Sequence, residues 1–286
     1  MTFTRLGLPC LAALASSALI VTGALAPAPL AKVPAPHQHR PADIRARHVD
    51  GSYDSTNWSG YAATGTNFTQ VTGTWKIPAS TCAKGSSTEY AAFWIGLDGW
   101  TSSSVEQTGT DSDCSNGTPS YYAWYEFYPE PSYYAGRLTN LSPGDIMTSS
   151  VTYSVAKTQF TAVITDVTSG VSFSTTFTLT KRTGTPARTS AEWIAEAPSI
   201  QVGRKVEVAP LADFNVIDFG PDYYTTTGTN SATIGTGTPT LMGAFGPNLN
   251  SSTMVSDGKT VVPMATPSVP TQDGSGFYVT WNSVGP

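Results

Sequence analysis

"SAEWIAEAPSI", residues 190–200, places Glu192 and Glu196 four apart with only apolar residues between them, in a chain otherwise poor in charge. Four apart puts two side chains on one face of a helix, and two steps of a period-2 strand do the same. The flanks decide. Thr189 and Ser190 lead in and Pro198 closes, leaving about eight residues, short for a helix and ordinary for a strand. On a strand, Glu192, Ile194 and Glu196 share one face, and Trp193, Ala195 and Ala197 the other. A carboxylate beside an isoleucine on a strand face either lines a groove or is buried at a cost.

Outward from this stretch the same period recurs. "QVTGTWKIP" alternates Val71, Gly73, Trp75 and Ile77 against Thr72, Thr74 and Lys76. "EYAAFWIGLDG" and "SYYAWYEFYPEP" are aromatic runs, and "DIMTSSVTYSVAK", "QFTAVITDVTSG" and "VSFSTTFTLTK" follow, with a hairpin turn at Ser169-Gly170. "DFNVIDFG" and "GFYVTWNS" add two more. Short strands without a convincing amphipathic helix predict an all-β sandwich or barrel. In "YYAWYEFY", Tyr122, Trp124, Glu126 and Tyr128 share one face and Tyr121, Ala123, Tyr125 and Phe127 the other. The first is either a wet sheet face or the floor of a concave groove that grips an extended polymer.

Charged residues make up 12% of the 286, about half the usual share. The formal net charge of -5 argues against nucleic acid as a partner. Residues 1–26 read as an export signal: Arg5, an apolar run, then small residues. With that signal removed no membrane partner is expected, and the location expected is extracellular. Residues 27–54 are rich in proline, lack a β period and hold all three histidines, His37, His39 and His48; they read as a propeptide or linker ahead of a domain spanning 55–286. Cys10 falls in the leader, so Cys82 and Cys114 are expected to pair as one disulfide.

No histidine follows residue 54. This excludes Ser-His-Asp and Cys-His sites and zinc sites that need imidazole. Acid–base work in the domain falls on carboxylates, and no metal or cofactor is expected.

Six stretches in order, "NWSGYAATG" (57–65), "VTGTWKIP" (71–78), "FWIGLDG" (93–99), "EQTGTD" (106–111), "YAWYEFYP" (122–129) and "AEWIAEAP" (191–198), resemble the glutamic peptidases, or eqolisins. The resemblance covers most of residues 57–220. It implies a concanavalin-like β-sandwich of two curved antiparallel sheets, and an acid-active endopeptidase that takes polypeptide substrates; the chain is expected to be a monomer. It also implies a catalytic dyad, Gln107 in the Gln-Thr-Gly motif and Glu196 as the second acid of the Ala-Glu-Trp-Ile-x-Glu motif. Glu192 is then a structural neighbour at the sheet edge. Trp58, Trp94, Asp98, Trp124, Glu126 and Tyr128 match positions that line or support the substrate groove.

Two departures stand out. Tyr122 replaces an aspartate of the fungal members, and Glu106 replaces an apolar residue beside Gln107, which raises the prospect of a new acid near the dyad. Two other functions fit the residues. A jelly-roll glycosidase would use Glu126 and Glu196 as its carboxylate pair, and a carbohydrate-binding module would use Tyr122, Trp124 and Tyr128 as a stacking platform.

Overall fold

The computed structural model describes Thr2 and residues 32–85, 88–181, 183–220 and 230–285. The export signal expected at 1–26 lies, but for Thr2, outside the described residues, as do residues 27–31. Residues 32–54 belong to the same compact unit as the residues that follow them.

Every stretch read as a strand is one. The front layer runs Tyr133–Tyr134, Thr118–Tyr128, Val105–Ser115, Ala92–Leu97, Ser190–Glu196, Trp58–Thr64 and Leu249–Val255, each neighbour antiparallel to the last. The back layer runs Val171–Thr178, Gln159–Asp166, Ile146–Ser154 and Phe68–Lys76. It is continued by Val216–Phe219, Phe277–Trp281 and Pro263–Pro267, the last of which pairs back onto Leu249–Val255. Leu249–Val255 pairs in parallel with Tyr53–Ser55. Among the described residues the only helix is the 3-10 segment Met242–Asn248.

The core lies between the layers. Phe93, Ile95, Ala123, Tyr125, Trp193 and Ala195 pack inward from the front, and Trp75, Val151, Phe160 and Ile164 from the back. Two indole N–H groups cross the gap: Trp193 Nε1 donates to the carbonyl of Thr72 at 2.8 Å and Trp75 Nε1 to Thr110 Oγ1 at 2.9 Å. Gly73 makes the approach possible, because a Cβ there would run into Ile95 and Trp193. In the back strands burial alternates residue by residue, as one solvated face requires. In Ala92–Leu97 and Ser190–Glu196 every residue is buried. Their outer face is therefore covered too, and the cover is the chain's own N-terminal segment.

Cys82 and Cys114 form a disulfide with Cα atoms 5.3 Å apart. Cys82 is on a loop, and Cys114 lies within the strand Val105–Ser115, every residue of which from Val105 to Cys114 is buried.

Candidate active site

Period 2 sends Gln107, Gly109, Asp111 and Asp113 to the outer face of their strand, opposite the core. Across the ladder Gln107 is registered with Gly96 and with Glu126. Glu196 is registered with Ala92, which pairs in turn with Asp111. Glycine and alanine between the acids leave a trough floored by Trp58, Trp94, Trp124 and Ile194. Gly109 has a specific reason to be glycine, since a Cβ there would overlap Phe93's carbonyl and Trp94. Trp94 thereby settles low in the trough and donates from Nε1 to Glu196 Oε2 at 2.7 Å. Its ring meets Trp58 edge-on, centroids 4.8 Å apart.

Residues 33–43 lie in this trough as an extended chain held by backbone hydrogen bonds along both sides. Gln38 exchanges both bonds with Ser199 (3.2 and 2.8 Å), and Ala35 N donates to the carbonyl of Ser132 at 3.1 Å. Tyr134 N donates to the carbonyl of Val33 at 3.0 Å, and Ala42 N to that of Gly99 at 3.0 Å. Asp43 N donates to Asn57 Oδ1 at 2.9 Å. This is β-augmentation, in which main-chain bonds supply grip and side-chain pockets supply choice.

At its centre the peptide unit His39–Arg40 spans Gln107 and Glu196. Gln107 Nε2 donates to the carbonyl of His39 at 2.5 Å and to Glu126 Oε2 at 3.1 Å. His39 N donates to the same Glu126 oxygen at 2.8 Å, and Arg40 N donates to Glu196 Oε1 at 3.2 Å. Trp58 Nε1 donates to the carbonyl of Arg40 at 3.0 Å. The His39 imidazole stacks on Trp124 with ring centroids 3.5 Å apart, its Nδ1 lying 3.4 Å from Glu196 Oε2. Two residues back, His37 Nε2 bonds to Asp113 Oδ2 at 3.1 Å. Tyr122, the departure noted above, donates from its hydroxyl to Asp111 Oδ2 at 2.8 Å and Asp113 Oδ2 at 2.9 Å, tying the two acids together.

Burial dominates the electrostatics. It raises Glu196, Glu126 and Asp111 well above the usual carboxylate range, with the neighbouring acids adding to the effect for Glu196 and Asp111. It pushes His39 well below the usual imidazole value, helped by His37. On His37 burial also pulls down, but the bond to Asp113 and the charges of Asp111 and Asp113 outweigh it, leaving that imidazole raised. The docked state thus favours protonated acids around a neutral His39.

Of the residues expected to line the groove, Trp58, Trp94, Trp124 and Glu126 meet there, and Tyr128 packs against the same aromatic cluster. Asp98 is elsewhere. It sits in a left-handed turn (φ 70°) and accepts from the backbone N–H groups of Arg188 and Thr189 at 2.7 and 2.8 Å, pinning a loop rather than touching the occupant. Glu106, next to Gln107 in sequence, points to the opposite face of the strand, so it adds no acid beside Gln107 and Glu196. Glu192 is not at a sheet edge: its strand is paired on both sides, and the residue is fully buried. Among the described residues, no lysine or arginine side chain of the N-terminal segment forms an ion pair with the trough acids. Arg45 pairs with Asp43 and Asp257, Lys32 lies over the Tyr133 ring and Arg47 over Tyr53. Histidines and main chain make the contact instead.

Sequence reading missed Asp111, Asp113, Asn57, Ser132 and Ser199. The two aspartates carried a signal, since both alternate in phase with Gln107. Ser199 acts through its backbone, which leaves no signal in the side-chain pattern, and Ser132 uses its backbone carbonyl as well as its hydroxyl.

The profile of the peptidase A4 family matches residues 56–263. Aspergillopepsin-2 of Aspergillus niger is 31% identical over 183 residues, 58% of this chain and 62% of that protein; the chain thus spans about three fifths of that relative's length. The crystal structure of scytalido-glutamic peptidase with a transition-state analogue inhibitor superposes with a TM-score of 0.63 at 26% identity, covering 79% of this chain and 98% of that one. A second eqolisin structure, SCP-B in complex with a tripeptide Ala-Ile-His, gives 0.61 at 25% identity with the same coverage.

Proposed function

The chain belongs to the peptidase A4 family, and from that premise we propose that it is a secreted, acid-active endopeptidase whose catalytic dyad is Gln107 and Glu196. The observation that carries the reading is the peptide unit of residues 39 and 40, with its carbonyl on Gln107 Nε2 and its N–H on Glu196 Oε1. A scissile bond needs an oxyanion donor at its oxygen and a proton source at its nitrogen, and those two side chains supply them.

In the docked state burial keeps the Glu196 carboxyl protonated; entry of water into the trough relieves that burial, and Glu196 as a carboxylate then takes a proton from the water while the water oxygen attacks the carbonyl carbon. Gln107 Nε2 donates to the oxygen as it gains charge, a contribution of about 3 to 4 kcal/mol in comparable sites. Gln107 Oε1 accepts no bond from the described residues and is the acceptor that orients the water. Protonated Glu196 then gives its proton to the departing nitrogen. Trp94 holds Glu196 in place, and Glu126 fixes the Gln107 amide by accepting one of its two N–H bonds. Glu126 is thus a positioning residue here, which argues against its serving with Glu196 as a glycosidase pair. Polypeptide is the substrate class: the trough satisfies the main chain of an extended peptide, and a relative binds a tripeptide ending in histidine, the residue that stacks on Trp124 here.

Residues 27–54 act as a prosegment that keeps the site occupied until acid releases it. Purified protein given casein, xylan and β-glucan at about pH 3 to 4, near an ordinary glutamate pKa, is expected to digest casein alone, and Glu196→Gln to abolish this with near-UV dichroism unchanged. Polysaccharide hydrolysis, or casein digestion by the Glu196→Gln chain, would overturn the assignment.

A further inference from the structure

We propose that the chain is its own first substrate and cuts the His39–Arg40 bond in cis. This rests on the peptidase reading of the site and adds the bond, its direction and the pockets that select it. Register is set on both sides of the bond. Upstream, Gln38 is paired with Ser199, and Ser132 Oγ donates to the carbonyl of His37. Downstream, the carbonyl of Arg40 accepts from Trp58 Nε1 and that of Pro41 from Asn57 Nδ2 at 3.1 Å. A slip of one residue would break these bonds and send every side chain to the other face. The sequence "PHQHRP" adds stiffness, because proline at 36 fixes its own backbone and proline at 41 keeps Arg40 extended.

Two pockets choose the residues. Trp124 takes the flat face of His39, and the Asp111–Tyr122–Asp113 cluster takes His37, whose ring also lies 4.2 Å from that of Tyr90. The preference that follows is for an aromatic or imidazole side chain immediately before the cut and a basic hydrogen-bonding one two residues earlier.

The step balances without a co-reactant other than water. Water oxygen bonds to the His39 carbonyl carbon as one water proton passes to Glu196. The carbon–nitrogen bond breaks and the electron pair goes to Arg40 N, which takes the proton from Glu196. The products are a carboxyl group on His39 and an amine on Arg40.

The test is acidification of the full chain, purified at pH 7, followed by intact mass and N-terminal sequencing, with casein digestion measured in parallel. The expected result is a new N-terminus at Arg40 and a fragment ending at His39, at a rate independent of protein concentration and absent from Glu196→Gln. His39→Asp, which sets a carboxylate against Trp124 among three acids, should slow this cut at least tenfold. A synthetic peptide of residues 33–46 should be cut after its second histidine by the processed enzyme. Casein digestion with the 39–40 bond intact, or processing only at another bond, overturns this inference and leaves the peptidase reading standing. An intact bond with no casein digestion overturns both.

Discussion

Glu196 ends the strand Ser190–Glu196 with its two oxygens committed to different partners, one to Trp94 and one to the N–H of Arg40. Loss of either member of the proposed Gln107–Glu196 dyad should therefore show in the chemical step. Gln107→Ala is expected to lower kcat at least about a hundredfold with KM little changed, if the amide serves the transition state; retention of more than a tenth of activity would refute the role. Glu126→Gln should be milder, because an amide oxygen can still accept from Gln107, and a total loss would return the carboxylate pair to consideration. The three histidines offer a direct reading of the site's electrostatics. In the uncut Glu196→Gln chain, imidazole NMR should show His37 and His48 titrating above the usual value of 6.5, the latter through its bond to Asp54, and His39 well below it. Three superimposed curves near 6.5 would mean that the segment does not lie in the trough in solution.

Among the elements, the strand Val105–Ser115 carries the most: Gln107 and the two subsite aspartates on one face, and Cys114 near its end. The bridge to Cys82 closes a loop spanning 32 positions, worth roughly 3 to 4 kcal/mol by the loop-entropy relation. Denaturant midpoints with and without reductant measure it, and a difference below about 1 kcal/mol would mean that strand pairing alone anchors the Gln107 segment. The strand Ser190–Glu196 shows how far the sequence could be read. Its length and its faces followed from period and flanks, because side-chain alternation is a local property, whereas the catalytic candidate on it came from the family resemblance. Its central position and the burial of Glu192 did not follow, because neighbours in a sheet are set by pairing over long separations. Asp98 was misplaced for a similar reason. A family motif says that a residue matters without saying whether it touches substrate, and here it clamps a backbone turn. The N-terminal segment was legible as a separate piece by its prolines and histidines, but its docking through main chain was not, since main chain is the same in every sequence.

At the scale of the whole molecule, Glu106, Asp111, Glu126, Glu192 and Glu196 are all buried and all raised well above ordinary carboxylates, chiefly by desolvation. The folded chain therefore holds more protons than the unfolded one between the unfolded carboxylate value near 4.5 and the raised folded values. Stability must fall as pH rises through that window. His37 acts in the same sense and His39, lowered, opposes it below 6.5. The uncut Glu196→Gln chain should melt at a higher temperature at pH 4.5 than at pH 7.5, and Glu192→Gln should narrow the gap by raising the neutral-pH value; a flat profile would contradict the shifts. The continuity of residues 40–54 into the strand Trp58–Thr64 has a kinetic consequence as well. While the tether is whole, the occupant's effective concentration at the dyad is on the order of millimolar, which a dilute external substrate cannot match. Hydrolysis of the proposed bond would turn that local concentration into the bulk concentration of a released fragment, so activation would become in effect a dilution: concentrated stocks would remain restrained by their own cleaved peptide, and dilute ones would not.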